Sequence, residues 1–124
     1  MKLTIDQALA NGIEAHRAGK IQEADSFYAE ILTVNPNHPD ANHNVGVLSV
    51  GIGKVEEALP FFRTSLDTTP NSTQFWLSYI EALIIDEQFD NARQVLKQAR
   101  VQGLSANSLD CLEDQLLPKA HNPD

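Results

Sequence analysis

Four histidines, one cysteine and two adjacent acid pairs are the residues of this chain whose types could carry chemistry. A zinc site needs several His, Cys or carboxylate ligands converging on one point. His16, His38, His43 and His121 share no helical i, i+4 spacing, and His38 and His43 stand five apart across a helix start. No metal and no cofactor is expected. Cys111 is the single cysteine, which excludes an internal disulfide and any multi-cysteine zinc site. No His or Lys lies near it in sequence to lower its thiol pKa, so it reads as a small apolar packer in the last helix. Glu56-Glu57 and Asp86-Glu87 are adjacent acids, and adjacency on a helix turns side chains about 100° apart, so both pairs read as solvated faces. No stretch matches a P-loop, a dinucleotide-binding glycine pattern, a His-Glu-x-x-His helix or a nucleophile elbow. The chain reads as non-catalytic.

What remains is a chain organised for packing. Ala24, Ala58 and Ala92 stand 34 residues apart, as do Tyr28, Phe62 and Leu96, and Ile21, Val55 and Phe89. Gly19/Gly53 and Pro36/Pro70 keep the same step. A period in this range marks stacked helical repeats. Three segments follow, 5–38, 39–72 and 73–106, each with two amphipathic helical patterns, in one domain spanning 1–124.

The first helix is predicted from the capping box Thr4-Ile5-Asp6-Gln7 to about Arg17, and the second from Ile21 to about Val34. Gly19-Lys20 separates them, and Asn35-Pro36-Asn37 stops the second. Segment two repeats the plan from about Asp40 to Ile52 and from about Val55 to Thr68, with Pro60 expected to bend its second helix slightly. Segment three opens on Asn71-Ser72-Thr73-Gln74, read as a second capping box, turns near Glu87-Gln88 and resumes from Phe89 to about Gln102. A capping helix of about 106–117, with Leu109, Leu112, Leu116 and Leu117 on one side, covers the last open face, and a polar tail, 118–124, follows.

Bulk numbers narrow the partners. The formal net charge is −8, from 17 acidic and 9 basic residues. Such a field repels phosphate backbones and anionic headgroups, so neither nucleic acid nor membrane is an expected partner. No apolar run approaches the ~20 residues that span a bilayer, and Met1–Asp6 lacks a signal-peptide core. A cytoplasmic location is the expectation.

Small residues (Ala24/Ala58/Ala92, Gly12/Gly46) recur where helices must approach, and large ones (Tyr28/Phe62/Leu96) where gaps must be filled. With Gly46, Gly53, Ala58, Phe62 and Pro70, segment two resembles the tetratricopeptide-repeat family, whose unit is a 34-residue helix–turn–helix. Asn11, Ile80 and Glu87 depart from its pattern at an apolar position, a small position and the turn glycine. The resemblance implies an all-α, right-handed superhelix of three such repeats plus the capping helix. It further implies a concave face lined by the first helix of each repeat. The inward positions are then Leu9, Ala10, Ile13 and His16; Asp40, His43, Asn44, Val47 and Val50; and Gln74, Leu77, Ser78, Glu81 and Ile84. A lining of apolar and neutral polar groups suits an extended peptide in this groove, whose backbone the amides can pair.

Asn44 holds the position that forms an asparagine ladder in related glycosyltransferase superhelices. Of the positions that clamp acidic chaperone tails, here Leu9, Ile13, Asn44, Gln74 and Ser78, only the Asn is kept. A carboxylate needs charge-assisted donors, so acidic tails are not expected to bind. The stretches around Asn37–Leu48 and Phe75–Leu104 also resemble repeat regions that precede bacterial sulfotransferase and glycosyltransferase domains, which implies a fused or associated transferase. The expected function is a protein-interaction module binding a peptide or protein. The alternative is a structural or substrate-recruiting arm of a larger transferase. Ile84-Ile85 adds apolar surface compatible with a homo-oligomer.

Overall fold

The computed structural model describes residues 3–104 and 107–116, and among these it holds seven helices and no strand. They are α1 (Ile5–Arg17), α2 (Ile21–Val34), α3 (Pro39–Gly51), α4 (Val55–Thr68), α5 (Thr73–Ile85), α6 (Phe89–Val101) and α7 (Asn107–Gln115). Each odd–even pair is a hairpin. Leu117 and the polar tail lie outside the described residues.

The helix starts follow local hydrogen bonding. At α1 the capping box forms as expected: Gln7 N donates to Thr4 Oγ1 at 3.0 Å and Thr4 N to Gln7 Oε1 at 2.9 Å. At α3 the expected start moves back to Pro39, because His38 Nδ1 accepts from Ala41 N at 3.1 Å and proline fits the first turn. At α5 the cap is Ser72 rather than Asn71. Ser72 Oγ accepts from Phe75 N, so Gln74 does not take the reciprocal place of a capping box. Pro60 is exposed, and α4 runs through it unbroken.

The turn within each hairpin is one device used three times. Lys20 N bonds Ala15 O, Lys54 N bonds Ser49 O and Gln88 N bonds Leu83 O, all at 2.8 Å. This wrap-around bond needs a left-handed residue just before it. Gly19 (φ 78°) and Gly53 (φ 85°) supply it in the first two hairpins, and Glu87 (φ 62°) is forced into the same conformation in the third.

The packing shows why the repeats hold their spacing. A Cβ on Gly12 would fall 2.5 Å from the Tyr28 ring, and one on Gly46 would fall 2.6 Å from the Phe62 ring. Each glycine therefore admits an aromatic ring that no larger residue there could tolerate. The third hairpin solves the same crossing differently. Ile80 replaces the glycine, and the facing residue shrinks from an aromatic to Leu96, with both buried in one cluster. Ala24, Ala58 and Ala92 are fully buried, as small residues at close crossings should be.

Hairpins also join through equivalent groups. Asn42 Nδ2 donates to Pro36 O at 3.0 Å, and Trp76 Nε1 donates to Pro70 O at 2.7 Å. Both residues tie the odd helix to the proline that ended the hairpin before it. At the far end α7 buries Leu109 and Leu112, and Leu116 just after it is buried as well. The helix is held further by Arg93 donating to Leu116 O and by Arg100 bonding Asp110 (2.7 Å) and Glu113 (2.8 Å). Cys111 is exposed, which corrects the reading of it as a core packer. The face turned to the body at this end is spent on the three leucines, and Cys111 lies off that face.

Candidate functional site

The contacts between helices show which way the array curves. Along the array α1 touches α3, α3 touches α5 and α5 touches α7, whereas α2, α4 and α6 do not touch one another. Helices that close on their own kind form the inside of a curve. The odd helices are therefore the inner layer, and α2, α4 and α6 are splayed along the outside.

The residues expected in the groove fall into three environments on those helices. Leu9, Ile13, His16, Asn44, Val47 and Leu77 are half-buried, their positions lying between the tight seam and open solvent. Glu81 is exposed, as are Ala10, Asp40 and Gln74. His43 and Ser78 are different. Each is only 8% exposed, and they are joined by a 2.7 Å contact between His43 Nε2 and Ser78 Oγ across the seam of hairpins two and three. They sit in the floor of the inner layer rather than opening freely into it.

The chemistry at that seam is coherent. Gln74 Nε2 donates to Ser78 Oγ at 3.3 Å, which leaves the hydroxyl hydrogen to donate to a neutral imidazole nitrogen. The His43 ring stacks on Phe75 at 4.7 Å between centroids and is tilted against Phe62 at 5.7 Å. Burial lowers the His43 pKa below its ordinary value of 6.5, against the opposing pull of Asn44 and of the Asp40 charge. Phe75 was not singled out by the groove pattern, because its position turns toward the preceding hairpin. The usable signal is its register, the residue after Gln74, where Ala41 and Leu109, one period away on either side, are also buried.

Among the described residues no group of three His, Cys, Asp or Glu side chains could hold a metal ion. No helix among them is long and apolar enough to cross a membrane. A separate cleft of 470 Å³ lies between the start of α1 and the end of α2, lined by Leu3, Ile5, Ala8, Phe27, Ile31 and Val34 among others. It contains none of the expected groove residues. Ala8 stands there in the register of Asn42 and Trp76, and its small side chain leaves the space those residues fill.

Comparison with known proteins gives the same architecture a wider setting. No family model matches the chain. Among curated proteins, Cellulose synthase operon protein C of Komagataeibacter xylinus is 21% identical over 95 residues, covering 77% of this chain. This chain spans only 7% of that relative's length. Among solved structures, the TPR2B domain of yeast Sti1, in a complex with pHsp70, superposes with a TM-score of 0.80 at 19% identity, covering 90% of this chain and 94% of that one. The Sgt2 TPR domain of Aspergillus fumigatus gives 0.79 at 16% identity over 97% and 85% of the two chains. Pseudomonas aeruginosa pilF gives 0.75 at 20% identity over 91% and 52%. The fold is that of the tetratricopeptide repeat.

Proposed function

We propose that this tetratricopeptide-repeat array is a non-catalytic protein-interaction module, one unit of three hairpins and a covering helix, that takes a peptide or partner segment along its inner layer. The observation that carries the reading is the half-buried strip Leu9, Ile13, Asn44, Val47 and Leu77, spread over three successive helices of that layer. Half-buried aliphatic groups gain from being covered, at roughly 25 cal/mol per Å² of apolar surface removed from water. The Asn44 amide can pair with a backbone N–H or C=O of a segment lying over them. The Sti1 domain of the same fold, held in a complex with pHsp70, supports an interaction role, and the setting envisaged is a bacterial cytoplasm. Neither nucleic acid nor membrane is an expected partner.

The test is binding of a partner isolated with the intact protein. Asn44→Ala should weaken it several-fold, and Val47→Asp should weaken it more, because a charge would then lie under the apolar part of the segment. Unchanged affinity in both variants, with folding confirmed by circular dichroism, removes the inner face as the binding surface.

A second reading makes the array a structural or substrate-recruiting arm of a larger transferase. It is supported by the curated relative, in which the matched stretch is a small share of a much longer chain. Co-purification of a transferase domain, fused or associated, tests it. Self-association through the exposed Ile85 is open to measurement by analytical ultracentrifugation.

A further inference from the structure

The two layers carry seven helical carboxylates each and differ in their basic residues. The inner helices α1, α3, α5 and α7 carry seven carboxylates (Asp6, Glu14, Asp40, Glu81, Asp110, Glu113, Asp114) and a single Lys or Arg, Arg17 at the end of α1. The basic residues of the helices otherwise lie on the outer layer, as Arg63, Arg93, Lys97 and Arg100. Asp110 and Glu113 share the single charge of Arg100. Asp6, Asp40 and Glu81 are exposed and take part in no salt bridge among the described residues. A first-turn position accounts for part of the preference for acid at Asp6 and Asp40, since carboxylates there favour the helix dipole. Glu81 lies in the middle of α5, where the dipole offers nothing.

We infer that the inner face takes an extended segment in which Lys or Arg alternates with aliphatic side chains. This deepens the groove reading and rests on it. The half-buried Leu9, Ile13, Val47 and Leu77 meet the apolar positions, and the exposed carboxylates beside them meet the cations. The inner layer offers no Lys or Arg beyond Arg17 to receive an acidic segment. Four helices spaced about 8–10 Å apart give a track of roughly 30 Å, which an extended chain covers in about nine residues.

Fluorescence anisotropy with labelled ten-residue peptides tests the inference on the full chain. One peptide alternates Leu with Lys, a second Leu with Glu, and a third Ser with Lys. The Leu/Lys peptide should bind at least tenfold more tightly than the other two. Asp40→Lys with Glu81→Lys should weaken it at least tenfold, while Glu56→Lys with Glu57→Lys, the same change in net charge on α4, should weaken it less than threefold. Three results overturn the inference: no binding of the Leu/Lys peptide, equal or tighter binding of the Leu/Glu peptide, or equal losses from the two double variants, which would mean attraction by the whole molecule's field. The groove reading fails separately. If Leu/Lys binding is untouched by Asn44→Ala with Val47→Ser, the peptide lies elsewhere. If the Leu/Glu peptide binds and that pair of substitutions removes it, the groove stands and the basic partner does not.

Discussion

Gly46 and Phe62 show how one missing methyl group sets the distance between two helices. The Phe62 ring is 1% exposed and has nowhere to move, so a Cβ 2.6 Å away must displace backbone. Gly46→Ala should therefore lose on the order of 1–3 kcal/mol to overpacking, against a helix-propensity gain of about 1 kcal/mol. Gly51→Ala, at a helical position with nothing within 4 Å, should show the propensity term without the clash. Urea unfolding of the two variants separates these effects. His43 makes a second prediction at this scale. Its folded pKa lies below the ordinary 6.5, so the stability from keeping it neutral is complete above about pH 6.5 and is lost as pH falls from there through the folded value. His43→Leu, the residue that hairpins one and three carry at this register, should flatten that part of the stability–pH curve. Unfolding midpoints between pH 7.5 and 5 check the sign.

At the level of elements, the 34-residue period was legible because each repeat sets the same side chains the same packing task. The turn bonds at Lys20, Lys54 and Gln88 and the buried alanines follow directly from it. Glu87 was visible as a departure, and the structure shows its consequence: a side chain held at φ 62°. A non-glycine residue there costs roughly 1–2 kcal/mol, and glycine's extra unfolded-state entropy offsets about 0.5–1 kcal/mol. Glu87→Gly should accordingly raise stability by about 0.5–1 kcal/mol, read as a higher urea midpoint with unchanged slope. The His43–Ser78 seam was not legible in the same way. Those residues stand one position more than a period apart, and which side chains meet there depends on how far neighbouring hairpins are offset. Cys111 shows that residue type without register does not predict burial: the buried stripe at this end is Leu109, Leu112 and Leu116, and Cys111 lies off it.

Over the whole molecule, one end of the array is covered and the other is wetted. The leucines of α7 close the far face, with Arg93 and Arg100 fastening the helix from α6. At the near face Gln7, Asn11 and Glu14 of α1 hold the registers that Ala41, Val45 and Leu48 bury in α3. This is the physical reason for Asn11, which departs from the repeat pattern where α1 faces outward. Leu109→Ala should cost about 2–5 kcal/mol, as a fully buried leucine does, and should loosen amide protection in α5 and α6 before α1 and α2. The proposed partner lies along the inner layer, over half-buried apolar groups on three successive helices, Leu9 and Ile13 of α1, Val47 of α3 and Leu77 of α5. Backbone amide NMR shifts on titrating a partner segment into the labelled protein test that most directly. Perturbations centred on Leu9, Ile13, Asn44, Val47 and Leu77 are the predicted result; perturbations confined to α2, α4 and α6 would contradict it.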